Sequence, residues 1–349
     1  MLRRPMHLAI LTQILDRQDA VLGFFHTWCE VFAQHVDQLT VYAQSVGDVD
    51  LPPNVRVRSL GRESGSGKLG MALRLMRGMG LARPSAVWVH MVPKFALYAA
   101  PLALPSFVPM YLWYTHKGVD TSLRMATPLV RKVFTASEES FRLQCPPEKV
   151  VVTGHGIDCV HFDLPAGGRE VDVLAVGRLS PTKAQDVLLD ALALLPSVPR
   201  TEIAGDILLE KDAPYRDALF ASARELGDGV RFLGAVPYVR VADAMRRAKV
   251  LVNTSHTGSV DKVVLEAMAC GTVPLTCNES FERIFGHELA ARLMFDKGDP
   301  AGLARRLDEV LSLDAGELAG LGARLRDIVV REHDVRVLVP RMVAVMEGR

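Results

Sequence analysis

In the segment Asn253-Thr254-Ser255-His256-Thr257-Gly258-Ser259-Val260-Asp261-Lys262-Val263-Val264-Leu265-Glu266-Ala267-Met268-Ala269-Cys270-Gly271 the hydrophobic period changes from that of a strand to that of a helix. The apolar run 250–253 ends in a loop of small polar residues, and a helix starts near Asp261. Gly258 and Ser259 permit close backbone approach and offer N–H groups to a diphosphate. Glu266 lies among apolar neighbours on the helix face that also carries Lys262. A carboxylate so placed can accept two hydrogen bonds from a ribose diol. The alternative is a Lys262–Glu266 pair that merely steadies the helix, which contributes little. Val263 lies between them on the same helix.

Upstream lies a second strand-to-helix junction, Gly177-Arg178-Leu179-Ser180-Pro181-Thr182-Lys183-Ala184-Gln185-Asp186. It follows the apolar run 171–176 and precedes an amphipathic segment. Backbone N–H groups and the helix dipole favour negative charge at such a junction. Arg178 can grip a phosphate bidentately, and Lys183 can act as a point charge. Either cation alone reads as a solvated surface charge; the pair in this setting reads as an anion site.

The same alternation runs through the whole chain. Short Val/Ile-rich runs at 8–11, 39–43, 86–89, 110–114, 133–136 and 150–152 are separated by segments of helical period. Pro165-Ala166-Gly167-Gly168 then punctuates the chain as a linker. A second series follows at 171–176, 201–204, 230–233, 250–253, 273–276 and 291–295. Alternating strands and helices imply parallel sheets of right-handed crossover units. Two α/β domains are therefore expected, each a doubly wound parallel, Rossmann-like sheet, the two facing one another. Residues 1–164 form the first and 165–334 the second, with a terminal helix over 335–349 returning to the first. Ligands of such sheets sit at the carboxyl ends of the strands. That rule selects Thr12-Gln13, His90-Met91, His116-Lys117, Gly177-Arg178, Gly205-Asp206 and Thr254-Ser255 as the informative positions.

Bulk properties narrow the function. A chain of 349 residues exceeds the usual size of one core. Forty-one basic residues nearly balance forty acidic ones, and the net charge of +1 argues against a general nucleic-acid binder. Cys29, Cys145, Cys159, Cys270 and Cys277 are scattered, without the close pairs of a zinc site, and read as small hydrophobes in a reducing compartment. The run 8–11 is too short for a signal-peptide core. The uncharged stretch 95–114 is long enough to span a bilayer, but Pro101, Pro105 and Pro109 interrupt it, so a buried helix followed by a buried strand is expected. A cytoplasmic location is expected from these absences. Gly65-Ser66-Gly67-Lys68-Leu69-Gly70 matches G-x-G-x-x-G without a preceding strand and reads as a flexible loop. The helical segment 69–81 after it carries Arg74 and Arg77 among Met, Leu and Ala. It can lie on an anionic membrane surface or simply pack on the sheet.

The two junctions together resemble the retaining glycosyltransferases of family four (glycosyl transferases group 1), which have the GT-B fold. That family shows G-R-L-x-x-x-K-G after a strand; Gly177, Arg178, Leu179 and Lys183 match, and Ala184 replaces the last glycine. Its later signature, S-x-x-E-G-F-G-x-x-x-L-E-A-M-A-x-G, is matched by Ser255, Leu265, Glu266, Ala267, Met268, Ala269 and Gly271. Two departures stand out. The first glutamate of the family's pair falls at Gly258, and the G-F-G after it reads Ser259-Val260-Asp261. No double glycine follows the first strand either.

The resemblance implies a nucleotide-sugar donor, UDP- or GDP-linked, held by Arg178, Lys183, Gly258, Ser259, Lys262, Val263 and Glu266. It implies a glycan or lipid-linked acceptor on the first domain, where His90, Asp19 and His26 are the candidates. His116 resembles the family histidine near the transferred sugar. Cations replace a metal, so no cofactor is expected, and the protein is expected to be an enzyme transferring a hexose with retention. A nucleotide-sugar epimerase on the same fold, or a nucleotide-binding scaffold without turnover, are the alternatives.

Overall fold

Runs of Val, Ile and Leu that are apolar on both faces belong in parallel strands covered on both sides. The structure, a computed structural model, describes residues 5–19 and 21–349 and bears this out. The chain divides into two units. One runs to Gly156 and takes in Asp334–Arg349; the other spans Ile157–His333.

The first unit contains β1 (His7–Leu15), α1 (Phe24–His35), β2 (Gln38–Val46), β3 (Val55–Ser59), α2 (Lys68–Ala82), β4 (Ala86–His90), α3 (Pro93–Ala103), β5 (Met110–Trp113), α4 (Thr121–Ala126), β6 (Lys132–Thr135) and β7 (Val150–Val152). Its strands form one parallel sheet in the order β3-β2-β1-β4-β5-β6-β7. Successive side chains of β1 point to opposite faces. Leu8 and Ile10 enter a core with Phe25, Trp28 and Phe32 of α1. Ala9 and Leu11 enter another with Leu75 and Met79 of α2 and Phe95 and Ala99 of α3. The uncharged stretch is therefore the helix α3, with Pro101 inside it, and the buried strand β5. Among the described residues no helix is long and apolar enough to cross a membrane.

The second unit contains β8 (Val171–Val176), α5 (Gln185–Ala193), β9 (Thr201–Ala204), α6 (Ala213–Glu225), β10 (Val230–Gly234), α7 (Tyr238–Arg247), β11 (Ala248–Asn253), α8 (Lys262–Ala269), β12 (Val273–Thr276), α9 (Glu282–Leu293), α10 (Pro300–Leu311) and α11 (Ala315–Glu332). Its parallel sheet has the order β10-β9-β8-β11-β12. The last helix, α12 (Val335–Met346), buries Leu338, Val339 and Met342 in the core of the first unit beside α1. The Tyr111 hydroxyl donates to the Met346 carbonyl at 3.1 Å and fixes its end.

Three details differ from the sequence reading. The run 291–295 is not a strand: α9 continues to Leu293, and Met294 makes only an isolated bridge with Thr276. The edge strand β3 falls where no strand was expected. The chain enters the second unit at Ile157, before the Pro165–Gly168 punctuation, because Ile157, Cys159 and Phe162 are buried in the second core. No disulfide links any of the five cysteines, and four of them are buried.

Candidate functional site

Strand order reverses direction between β8 and β11 in the second sheet, and ligands of open parallel sheets bind in the crevice at such a point. The loops leaving these two strands are the two junctions singled out by sequence. Hydrogen bonds stitch them together. The His256 N–H donates to the Thr182 carbonyl at 3.0 Å. The Thr254 hydroxyl donates to the Lys183 carbonyl at 2.7 Å, and the Lys183 ammonium donates to Ser255 Oγ at 3.2 Å.

Backbone conformation shapes the floor. Gly205, at the end of β9, has φ +145°, and a Cβ there would lie 1.9 Å from the Gly177 carbonyl oxygen. Only glycine lets these two strand ends approach. Leu179 N–H donates to the Asp206 carbonyl at 3.0 Å and holds the turn after Gly177 in place. Ala184 adopts φ +48° at the start of α5, which explains why glycine suits the corresponding family position. Arg178 is exposed at the mouth of the turn, while its carbonyl accepts from Gln185 Nε2 at 2.9 Å.

Lys183 and Asp261 form an ion pair at 2.7 Å, with side chains 19% and 10% exposed. The other carboxylate oxygen accepts from Asn278 Nδ2 at 3.0 Å and from the Thr257 hydroxyl at 3.3 Å. Asn278 also donates to the Ser259 carbonyl at 2.6 Å, and Ser280 donates its hydroxyl to the Gly258 carbonyl. The loop 258–261 is thus held from beneath by the segment after β12. Gly258 has φ +63°, so a glutamate at this place would adopt left-handed backbone at a cost of about 1–2 kcal/mol. The departure from the family signature is built into the loop's path.

Glu266 is 6% exposed in α8. Burial raises its pKa above the usual glutamate value, opposed by the charge of Lys262 and by a hydrogen bond from Tyr238. Burial pushes the Lys262 ammonium down to about 7, against the attraction of Glu266. Desolvation therefore dominates both members, and the pair is costly to maintain for helix stability alone. Val263, half-buried, packs against the second core.

The donor-side candidates Arg178, Lys183, Gly258, Ser259, Lys262, Val263 and Glu266 all belong to two adjacent loops and the helix after one of them. The remaining candidates lie in the first unit. His116 is exposed beyond the end of β5, its ring 6.4 Å from that of Tyr114. His90 is 2% exposed, bonded to the Thr12 hydroxyl at 3.0 Å and stacked on Phe25 with centroids 4.1 Å apart. His26 accepts from the Asp50 N–H at 3.0 Å, and Asp19 accepts from the N–H groups of Val21 and Leu22. All three side chains are thereby engaged in holding their own fold. Sequence reasoning passed over Tyr238, Asn278 and Ser280, although each follows one of the expected strands. Among the described residues no group of three or more His, Cys, Asp and Glu is placed to hold a metal ion.

Two doubly wound parallel sheets of this kind define a GT-B chain. The fold matches that of the Anabaena protein HepE in complex with UDP and glucose, with TM-score 0.75 at 18% identity over 98% of this chain and 99% of that one. It also matches sucrose-phosphate synthase from Thermosynechococcus elongatus, with TM-score 0.78 at 15% identity and 98% coverage of both chains. Residues 159–322 match the family described as glycosyl transferases group 1. A D-inositol 3-phosphate glycosyltransferase of Thermobispora bispora is 31% identical over 216 residues, covering 56% of this chain and 50% of that protein. The chain spans about half the length of the curated relatives it matches.

Proposed function

We propose that the protein is a retaining glycosyltransferase that moves a hexose from a UDP- or GDP-linked donor to a glycan or lipid-linked acceptor. The observation that carries this reading is the convergence of Arg178, Lys183 and the buried Glu266 at the β8/β11 switch point of a group 1 glycosyl transferase domain. HepE, of the same fold, is described in complexes with UDP and with UDP-glucose, which supports a nucleotide-sugar donor here. Glu266 takes the ribose diol, and Arg178, Lys183 and the N–H groups of the loop 258–261 meet the charge that develops on the departing diphosphate. These groups take the place of a metal. The departing phosphate oxygen receives the acceptor's proton as the acceptor attacks from the same face, and exposed His116 is assigned to the transferred sugar. A lipid-linked acceptor is supported by the first unit's surface. No acidic residue occurs between positions 64 and 119, and α2 exposes Leu69, Leu73 and Leu81 beside Arg74 and Arg77. Such a face suits peripheral contact with an anionic bilayer.

The test is a screen of UDP- and GDP-sugars with soluble acceptors and with lipid-linked acceptors in anionic vesicles, each with and without EDTA. At least one donor is expected to release its nucleoside diphosphate in an acceptor-dependent way, at the same rate in EDTA, with the donor's anomeric configuration kept in the product. Loss of activity in EDTA, restored by magnesium or manganese, would remove the metal-free mechanism. An altered nucleotide sugar formed without acceptor would make the protein an epimerase, and tight nucleotide binding without any turnover would make it a scaffold.

A further inference from the structure

The group 1 signature has a glycine where this chain carries Asp261, and that aspartate holds the lysine assigned to the diphosphate. We infer that Asp261 is a built-in competitor of the diphosphate for Lys183, which weakens the site for the released nucleoside diphosphate more than for the nucleotide sugar. This inference rests on the donor-site reading given above.

The geometry is specific. Asp261 Oδ1 lies 2.7 Å from Lys183 Nζ, and its second oxygen is held by Asn278 Nδ2 at 3.0 Å and Thr257 Oγ1 at 3.3 Å. The carboxylate therefore has a fixed position, set from the segment after β12, and does not depend on Lys183 for its orientation. Ser255 Oγ, at 3.2 Å, gives the ammonium a second anchor, so Lys183 stays in the loop when its partner changes. A phosphate oxygen reaching Lys183 must share the ammonium with Asp261 or displace it, and meets a like charge a few ångströms away in a setting of low exposure.

That repulsion grows with the charge of the ligand. A diphosphate esterified by sugar at its far end carries about two negative charges, whereas the freed nucleoside diphosphate has a terminal phosphate that loses a further proton near pH 6. Asp261 thus opposes product more than donor. Its role is to speed departure of the nucleotide after transfer, a step that limits turnover in many transferring enzymes.

Calorimetric titration of wild type, Asp261→Asn, Asp261→Ser and Arg178→Ala with UDP, GDP, UDP-glucose and GDP-mannose tests the inference. Asparagine keeps an oxygen for Asn278 and Thr257, and serine removes the carboxylate altogether; melting curves check that both fold. Both Asp261 variants are expected to bind the matching nucleoside diphosphate at least about tenfold more tightly than wild type, with a smaller gain for the nucleotide sugar. Binding that weakens or stays unchanged in both folded variants, while Arg178→Ala still weakens nucleotide binding, would overturn the inference and leave the donor site standing. Absence of nucleotide binding in every form, Asp261 variants included, would overturn both.

Discussion

Glu266→Gln is expected to weaken binding of the bare nucleoside diphosphate and of the nucleotide sugar by the same factor, about 10–150-fold. The range follows from losing hydrogen bonds to a charged acceptor worth about 1.5–3 kcal/mol. The equality follows from the ribose being common to both ligands. Glutamine is nearly isosteric and keeps an oxygen for the Tyr238 hydroxyl, which donates to this side chain in the wild type. The substitution also leaves Lys262 without its carboxylate neighbour. Because burial already holds that ammonium down to about 7, the lysine can answer by giving up its proton instead of unfolding the helix. Calorimetry with both ligands reads the result. A loss confined to the nucleotide sugar would place Glu266 on the sugar, and no loss for either would return the Lys262–Glu266 pair to a purely structural role.

Arg169→Met is expected to destabilise the second unit by about 2–4 kcal/mol. The Arg169 guanidinium donates to the carbonyls of Met245 and Arg246 at 3.3 Å each, to Cys270 at 2.8 Å and to the Thr272 hydroxyl at 2.7 Å, and it also bonds the Ala248 carbonyl. These acceptors lie at the end of α7, the start of β11 and the turn after α8. A single side chain, together with the Thr272 hydroxyl, therefore serves carbonyls at helix and strand ends. Methionine fills similar volume but donates nothing, so the Arg246 and Cys270 carbonyls lose the guanidinium, while the Met245 carbonyl keeps the Thr272 hydroxyl at 2.6 Å. For a unit of this size the loss corresponds to a fall of roughly 4–16 °C in Tm. Scanning calorimetry of the full chain reads it; an unchanged melting curve would show that water satisfies these carbonyls as well as the guanidinium does.

Much of this architecture was legible in the amino-acid sequence, and the exceptions have physical causes. Runs such as 171–176 and 273–276 are short and mostly apolar, the pattern of parallel strands covered on both sides. The strand β3 escaped because Val55 and Val57 alternate with Arg56 and Arg58, the period of a half-exposed edge strand rather than a buried one. The run 291–295 misled because its apolar residues straddle the end of α9, where helix and strand periods cannot be told apart over five residues. At the site, the rule that ligands gather at strand ends found both loops. Followed one strand further in each direction, it would also have found Tyr238 after β10 and Asn278 after β12. The Lys183–Asp261 pair was not legible, because its members are 78 residues apart and meet only through the path of the loop around Gly258.

The most direct measurement of the central claim is a crystal structure of the protein with the nucleoside diphosphate of the donor it consumes. The account predicts the diphosphate against the β8/β11 loops, with Arg178 and Lys183 on its oxygens, and both ribose hydroxyls donating to the Glu266 carboxylate. A nucleotide bound elsewhere on the chain, or in this crevice with Glu266 still enclosed by Tyr238 and Lys262 and no ribose within hydrogen-bond distance, would contradict it.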